Sequence, residues 1–151
     1  MSSIIECCTI QNFLRNDKRR MRHFGVVQIM IGMINLTFGV TLYYAAVFVV
    51  AVRLWVPWWG GFLFVISGAL TMWNVDSPDS RLKKFAMIFN FISAVAGALA
   101  AVIYIISTMM SRAGTAIYIS RAPMLILVLL FLYCVVELII ALLCGIILCK
   151  N

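Results

Sequence analysis

Three kinds of residue in this chain could carry chemistry: one acid inside an apolar run (Glu137), a single histidine (His23), and the five cysteines Cys7, Cys8, Cys134, Cys144 and Cys149. One histidine in a basic stretch cannot assemble a His-based metal site or a catalytic triad. The five acids are scattered over the N-terminal segment, one loop and one helix, so paired carboxylates for acid–base work are not expected. The pair Gly60-Gly61 lies at a helix start and does not read as a phosphate loop. No catalytic, cofactor-binding or metal residue is assigned, and the expectation is a protein that is not an enzyme.

Glu137 carries the sharpest question. An ionised acid near the middle of a spanning helix costs roughly 3 kcal/mol or more. It is therefore expected to face other helices, neutral and hydrogen-bonded. Glu137 lies 12 residues from Cys149, and Asn35 lies 11 residues from Phe24. That match predicts an Asn35–Glu137 hydrogen bond, with Ser67 and Gln28 as further partners. An ion or proton site is the functional reading of the same residue. The apolar runs supply no second acid and no base, so a structural bond between helices is preferred.

Cys7, Cys8 and Cys149 flank the apolar region, where they are either unmodified thiols or candidate palmitoylation sites. Cys134 and Cys144 read as packing. The predicted outer loops hold no cysteine, so no disulfide is expected there, and the sequon Asn35-Leu36-Thr37 is inside the membrane.

The elements that must position these residues follow from composition. The chain of 151 residues is 65% hydrophobic and 11% charged, with a mean hydropathy of +1.10. A soluble domain is nearer half apolar and a quarter charged. Four apolar runs, about 24–52, 54–75, 85–111 and 123–149, each exceed the roughly 18 residues that mark a spanning helix. In lipid such segments must satisfy their own backbone, which makes them helices. The expected fold is an all-α membrane protein, a four-transmembrane-helix bundle over 24–149. A basic N-terminal segment (1–23) precedes it and a stub (150–151) follows. No signal peptide is read at the start, and the first helix is expected to be an uncleaved anchor.

Charge sets the orientation. Arg15, Lys18, Arg19, Arg20, Arg22, Arg81, Lys83, Lys84 and Lys150 fall on one side, against Arg53, Arg112 and Arg121 on the other. The positive-inside rule then places both termini and the middle loop in the cytoplasm. Trp55, Trp58 and Trp59 would mark the outer interface and Trp73 the inner one. The net charge of +7 points to anionic inner-leaflet lipid as the partner, or to a pure topology signal, and not to nucleic acid.

Each run also carries a stripe of small or hydrogen-bonding residues at alternating steps of three and four. The stripes include Gly25, Gln28, Gly32, Asn35 and Gly39; Gly60, Phe64, Ser67, Thr71 and Asn74; Asn90, Ala94, Gly97, Ala101 and Tyr104; and Cys134, Glu137, Ala141 and Cys144. Close backbone approach and interhelical hydrogen bonds hold helices together in lipid. Gln28, Asn35, Ser67, Asn90 and Glu137 are the expected polar packing residues. Gly25, Gly32, Gly39, Gly60, Gly61, Gly68, Gly97 and Ala101 are the expected close-contact positions. Gly61/Gly68 or Gly97/Ala101 could also meet a second chain.

The segment GVVQIMIGMINL from Gly25 to Leu36, with Pro57-Trp58-Trp59-Gly60-Gly61, ISGAL from Ile66 to Leu70 and Val136-Glu137-Leu138, resembles the membrane-spanning four-domain subfamily A. That family includes the B-lymphocyte surface antigen and the β subunit of the high-affinity IgE receptor. The resemblance runs from Phe24 to Cys149. It implies a multi-pass plasma-membrane protein that forms homo-oligomers, with a dimer expected. Such a protein would modulate the signalling or surface expression of partner receptors through lateral helix contacts. It also implies bundle-packing roles for Gln28, Gly32, Asn35, Gly60, Gly61, Ser67 and Gly68. Tyr43, Tyr44, Tyr104, Tyr118 and Tyr133 all fall in helices or the outer loop, so phosphotyrosine signalling by this chain is not expected. The outer loop, about 111–122, lacks the cysteine pair of some members. A cation channel or channel regulator, and a lipid- or sterol-binding protein, are the alternatives.

Overall fold

The computed structural model describes the backbone of residues 2–45, 49–77, 79–113 and 121–150, with side chains described within 16–110 and 122–150. The side chains of Cys7, Cys8 and Arg15, and most of the outer loop at 111–122 with Tyr118, lie outside the described residues. Among the described residues there is no strand. The helices are α1 (Ser2–Ala45), α2 (Val50–Arg53), α3 (Val56–Asp76), α4 (Ser80–Ala113) and α5 (Arg121–Lys150).

Four of them are long and apolar enough to cross a membrane, over Asn16–Ala45, Val56–Asp76, Ser80–Met110 and Ala122–Lys150. At 1.5 Å per residue, the 21 residues of the α3 span reach about 31 Å, close to the roughly 30 Å of bilayer hydrocarbon. The 29 to 31 residues of the other three reach about 45 Å, so those helices tilt or stand beyond the lipid.

Helix bounds depart from the hydropathy reading at both ends of α1. The helix is continuous from Ser2 instead of beginning at Phe24. Nothing between Ser2 and His23 is glycine or proline, so the basic segment carries no helix breaker. At the far end α1 is described to Ala45 and the backbone is extended at Val49, inside the apolar run that continues to Val52. Apolarity alone does not distinguish a continuing helix from a buried turn. Here the short α2 folds inward, with Ala51 and Val52 buried and the Ala51 N–H donating to Ser107 Oγ of α4 at 3.0 Å. The reversal into α3 is made by Trp55 in the left-handed region (φ 56°), unusual for a non-glycine. The Trp59 indole N–H closes the turn on the Leu54 carbonyl at 3.1 Å. Pro57 then sits in the first turn of α3, where its missing N–H is harmless.

The helices follow one another around the bundle as α1, α3, α4 and α5, with α5 returning against α1. The closest pairings are α1 with α3 and α4 with α5. A large apolar cluster, with Leu42, Val56, Phe64, Tyr104, Leu127 and Leu130 among its members, fills the bundle away from the basic end. A small one, Met21, Ala86 and Leu148, closes the basic end. A layer of polar side chains lies between them.

Candidate functional site

Glycine builds the α1–α3 half of the bundle. A Cβ added at Gly32 would sit 2.7 Å from the Gly61 carbonyl oxygen, and one at Gly61 would sit 2.9 Å from that of Gly32. Gly25 and Gly68 stand in the same reciprocal relation, at 2.9 and 2.6 Å. Real Cβ atoms do not approach a backbone so closely, so each position admits only hydrogen. Both pairs are spaced by seven residues, which keeps them on one seam. A Cβ at Gly39 would sit 2.6 Å from the ring of Pro57. Between α4 and α5 the approach is looser, with a Gly97 Cβ reaching the Cys134 carbonyl at 3.4 Å. Gly60 differs from the other grouped glycines, since a Cβ there would meet only Phe64 of its own helix, at 4.0 Å. Gly61, Gly68, Gly97 and Ala101 are all buried within the chain, so these stripes are not open to a second chain.

The two halves meet at the polar layer. Gln28 of α1 reaches across the bundle, and its Nε2 donates toward Asn90 Oδ1 (3.1 Å), Glu137 Oε1 (3.1 Å) and Ser67 Oγ (3.3 Å). Glu137 Oε1 also accepts from Ser93 Oγ at 3.0 Å. Ser67 Oγ donates to Asn90 Oδ1 at 3.2 Å. The Asn90 amide donates to Thr71 Oγ1 and to the Ala86 carbonyl, both at 2.8 Å. Thr71 in turn donates to the Ser67 carbonyl at 2.9 Å. All six side chains are fully buried, and each hydroxyl proton has one destination. The layer therefore ties four helices together.

Asn35 stands apart from the layer. It is buried, but its amide donates to the Ile31 carbonyl of its own helix at 2.9 Å, and the expected Asn35–Glu137 bond is not formed. Gln28, one helical heptad nearer the basic end, takes that place. Depth counted from Phe24 misleads because α1 is already helical there and α5 runs on to Lys150. Leu148 packs level with Met21, three residues below Phe24. The length of the Gln28 side chain covers the rest. Ser93 and Thr71 also belong to the layer. Ser93 falls three residues after Asn90 and four before Gly97, a spacing that marks the same face.

Two buried oxygens of the layer, Gln28 Oε1 and Glu137 Oε2, have no partner among the described residues, nor does the Tyr104 hydroxyl. A neutral carboxyl makes Oε2 a donor, the complement of an amide oxygen. The layer can hold a proton on Glu137, but apolar clusters cover it on both sides. Among the described residues no three His, Cys, Asp or Glu side chains gather to hold a metal. Cys134 and Cys144 are buried and Cys149 is exposed, all as free thiols. At the basic end Arg22 pairs with Asp76, both half-exposed.

Comparison with known proteins bears on the same segments. A family model described as the CD20-like family matches residues 23–122. B-lymphocyte antigen CD20 of Canis lupus familiaris is 32% identical over 98 residues, covering 64% of this chain and 32% of that protein. Membrane-spanning 4-domains subfamily A member 15 of Mus musculus is 33% identical over 90 residues, or 58% and 36% of the two chains. B-lymphocyte antigen CD20 of Homo sapiens is 31% identical over 117 residues, or 74% and 38%. The matched segments span about a third of the length of these relatives.

Proposed function

The chain belongs to the CD20-like family, the membrane-spanning 4-domains proteins, and from that membership we propose that it is a non-enzymatic plasma-membrane protein with both termini cytoplasmic. It oligomerises and modulates the signalling or surface expression of partner receptors through lateral helix contacts. The observation that carries this reading is on the outer face of α4. Val95, Leu99, Val102, Ile106 and Met109 are exposed large apolar residues at alternating steps of four and three. That spacing forms a straight seam on a helix and suits left-handed packing against a second helix. The close-packing glycines lie inside the chain, so the contact surface is a bulky row of this kind, and α5 carries another at Leu125, Leu129, Leu132, Val136 and Ile139. Shape complementarity, not apolarity, would decide the partner, because lipid tails are as apolar as the seam.

Single-cysteine variants in liposomes test the reading. Leu99→Cys and Ile106→Cys should give disulfide-linked dimers on mild oxidation, and Met33→Cys on the exposed face of α1 should not. Equal crosslinking at all three positions, or none on α4, would refute the seam. Planar-bilayer recordings of the same protein separate the channel alternative, since a cation current abolished by Glu137→Gln would displace the lateral-contact reading.

A further inference from the structure

We propose that the basic end of the bundle holds one polyanionic glycerophospholipid, with its phosphorylated head among Lys18, Lys83 and Lys84 and an acyl chain in the adjoining groove between α4 and α5. Two cavities carry the proposal. The first, of about 600 Å³, opens at the basic end and is lined by the three lysines, by Asp79, and by an apolar floor that includes Met21 and Leu148. Its volume falls in the roughly 300–1,000 Å³ range of small-molecule sites. The second, of about 450 Å³, runs between α4 and α5 past Phe91, Ala141 and Gly145 with almost no polar wall. Met87 and Cys149 line both cavities, so the basic pocket leads into the apolar groove.

This is the profile of a lipid molecule and not of a free anion. A soluble phosphate would use the lysines and leave the groove unexplained. A sterol would use the groove and leave the lysines unexplained. Lys18 comes from α1 and Lys83 and Lys84 from α4, and none of them forms an ion pair among the described residues. Arg22 engages Asp76 nearby, so Asp79 is the acid that faces the lysines in the cavity wall. Three cations against one anion select a head with more than one negative charge, as in a phosphorylated inositol lipid. Basic pockets at the membrane interface bind such heads. The groove is open at Gly145, where a Cβ would meet nothing within 4 Å. The groove lies nearer the basic end than the Val95–Met109 row, so the inference stands or falls independently of the oligomer seam.

The test is native mass spectrometry of the full chain released from phosphatidylcholine nanodiscs doped with phosphatidylinositol bisphosphate, or with phosphatidylserine at equal charge. One bisphosphate lipid retained per chain, in preference to phosphatidylserine, is the expected result. Near a charged surface each lysine contributes about a factor of five. Replacing both Lys83 and Lys84 by Ala should therefore weaken retention about 25-fold, and replacing both by Arg should restore it. Gly145→Leu should lower retention of the lipid without changing the weaker binding of soluble inositol trisphosphate. Equal retention of phosphatidylserine, indifference to the lysines, soluble trisphosphate binding as tightly as the lipid, or a palmitoyl mass on Cys149 filling the groove would each overturn the proposal. Unchanged helical circular dichroism and a single size-exclusion peak qualify each variant.

Discussion

Gln28 and Asn35 are both buried amides on the same stripe of α1, one heptad apart, yet replacing them should have different consequences. Gln28→Met keeps the length of the side chain and removes its donors. The Nε2 group has two protons facing three acceptors at 3.1 to 3.3 Å, so at most two full bonds are lost. Interhelical bonds in membrane proteins average about 0.6 kcal/mol and reach about 1.7. The expected destabilisation is therefore about 1–3 kcal/mol. No large penalty for abandoned partners is added, because Glu137 Oε1 keeps Ser93 and Asn90 Oδ1 keeps Ser67. Asn35→Leu keeps the shape of the side chain and loses only a bond to the carbonyl of its own previous turn, so it should cost less than about 0.5 kcal/mol. Reversible unfolding in mixed micelles, followed by circular dichroism, measures both. A larger effect at Asn35 than at Gln28, or equal effects, would refute the assignment of the polar layer. A double-mutant cycle with Glu137→Leu should give a coupling of about 0.5–1.5 kcal/mol to Gln28 and none to Asn35.

The glycine seam predicts that Gly32→Leu abolishes the monodisperse species in detergent or lowers its unfolding free energy by more than about 2 kcal/mol. Gly145→Ala should change it by less than about 0.5 kcal/mol, since nothing lies within 4 Å of the added carbon. Ser107→Ala removes the acceptor of the Ala51 N–H. It should speed amide exchange over residues 50–54 and cost about 1–3 kcal/mol. Arg22→Ala should cost less than about 1 kcal/mol, and less still at high salt, because both partners of the Asp76 pair are half-exposed.

How much of this was legible in the sequence depends on the kind of information. Run length and hydropathy identify the four spans, because lipid demands about 20 apolar residues whatever the partners are. Steps of three and four identify which face of each helix turns inward, as at Gln28, Ser67, Asn90 and Glu137. They do not identify the level, because sliding one helix by a heptad keeps the same face inward and moves it about 10 Å. That is why Asn35 read as the partner of Glu137 while the bond falls to Gln28. Ser93 carries little signal in the sequence, because serine is common in membrane helices and Ala94 beside it continues the same stripe. The helix break at Val49 is hidden by the apolar run that spans it.

The two kinds of adhesion divide the bundle in a way that bears on how it could respond to a partner. The α1–α3 half is fixed by backbone contact at Gly25–Gly68 and Gly32–Gly61, which tolerates no sliding. The α4–α5 half is joined to it through the Gln28–Asn90, Gln28–Glu137, Ser67–Asn90 and Asn90–Thr71 bonds, which are of modest strength and can be exchanged. A partner gripping the outer face of α4 therefore pulls on the weaker of the two joints. Glu137 stands at that joint with one oxygen engaged and one without a partner among the described residues. Its place is explained by the joint, which needs an acceptor on α5 facing donors from both α1 and α4.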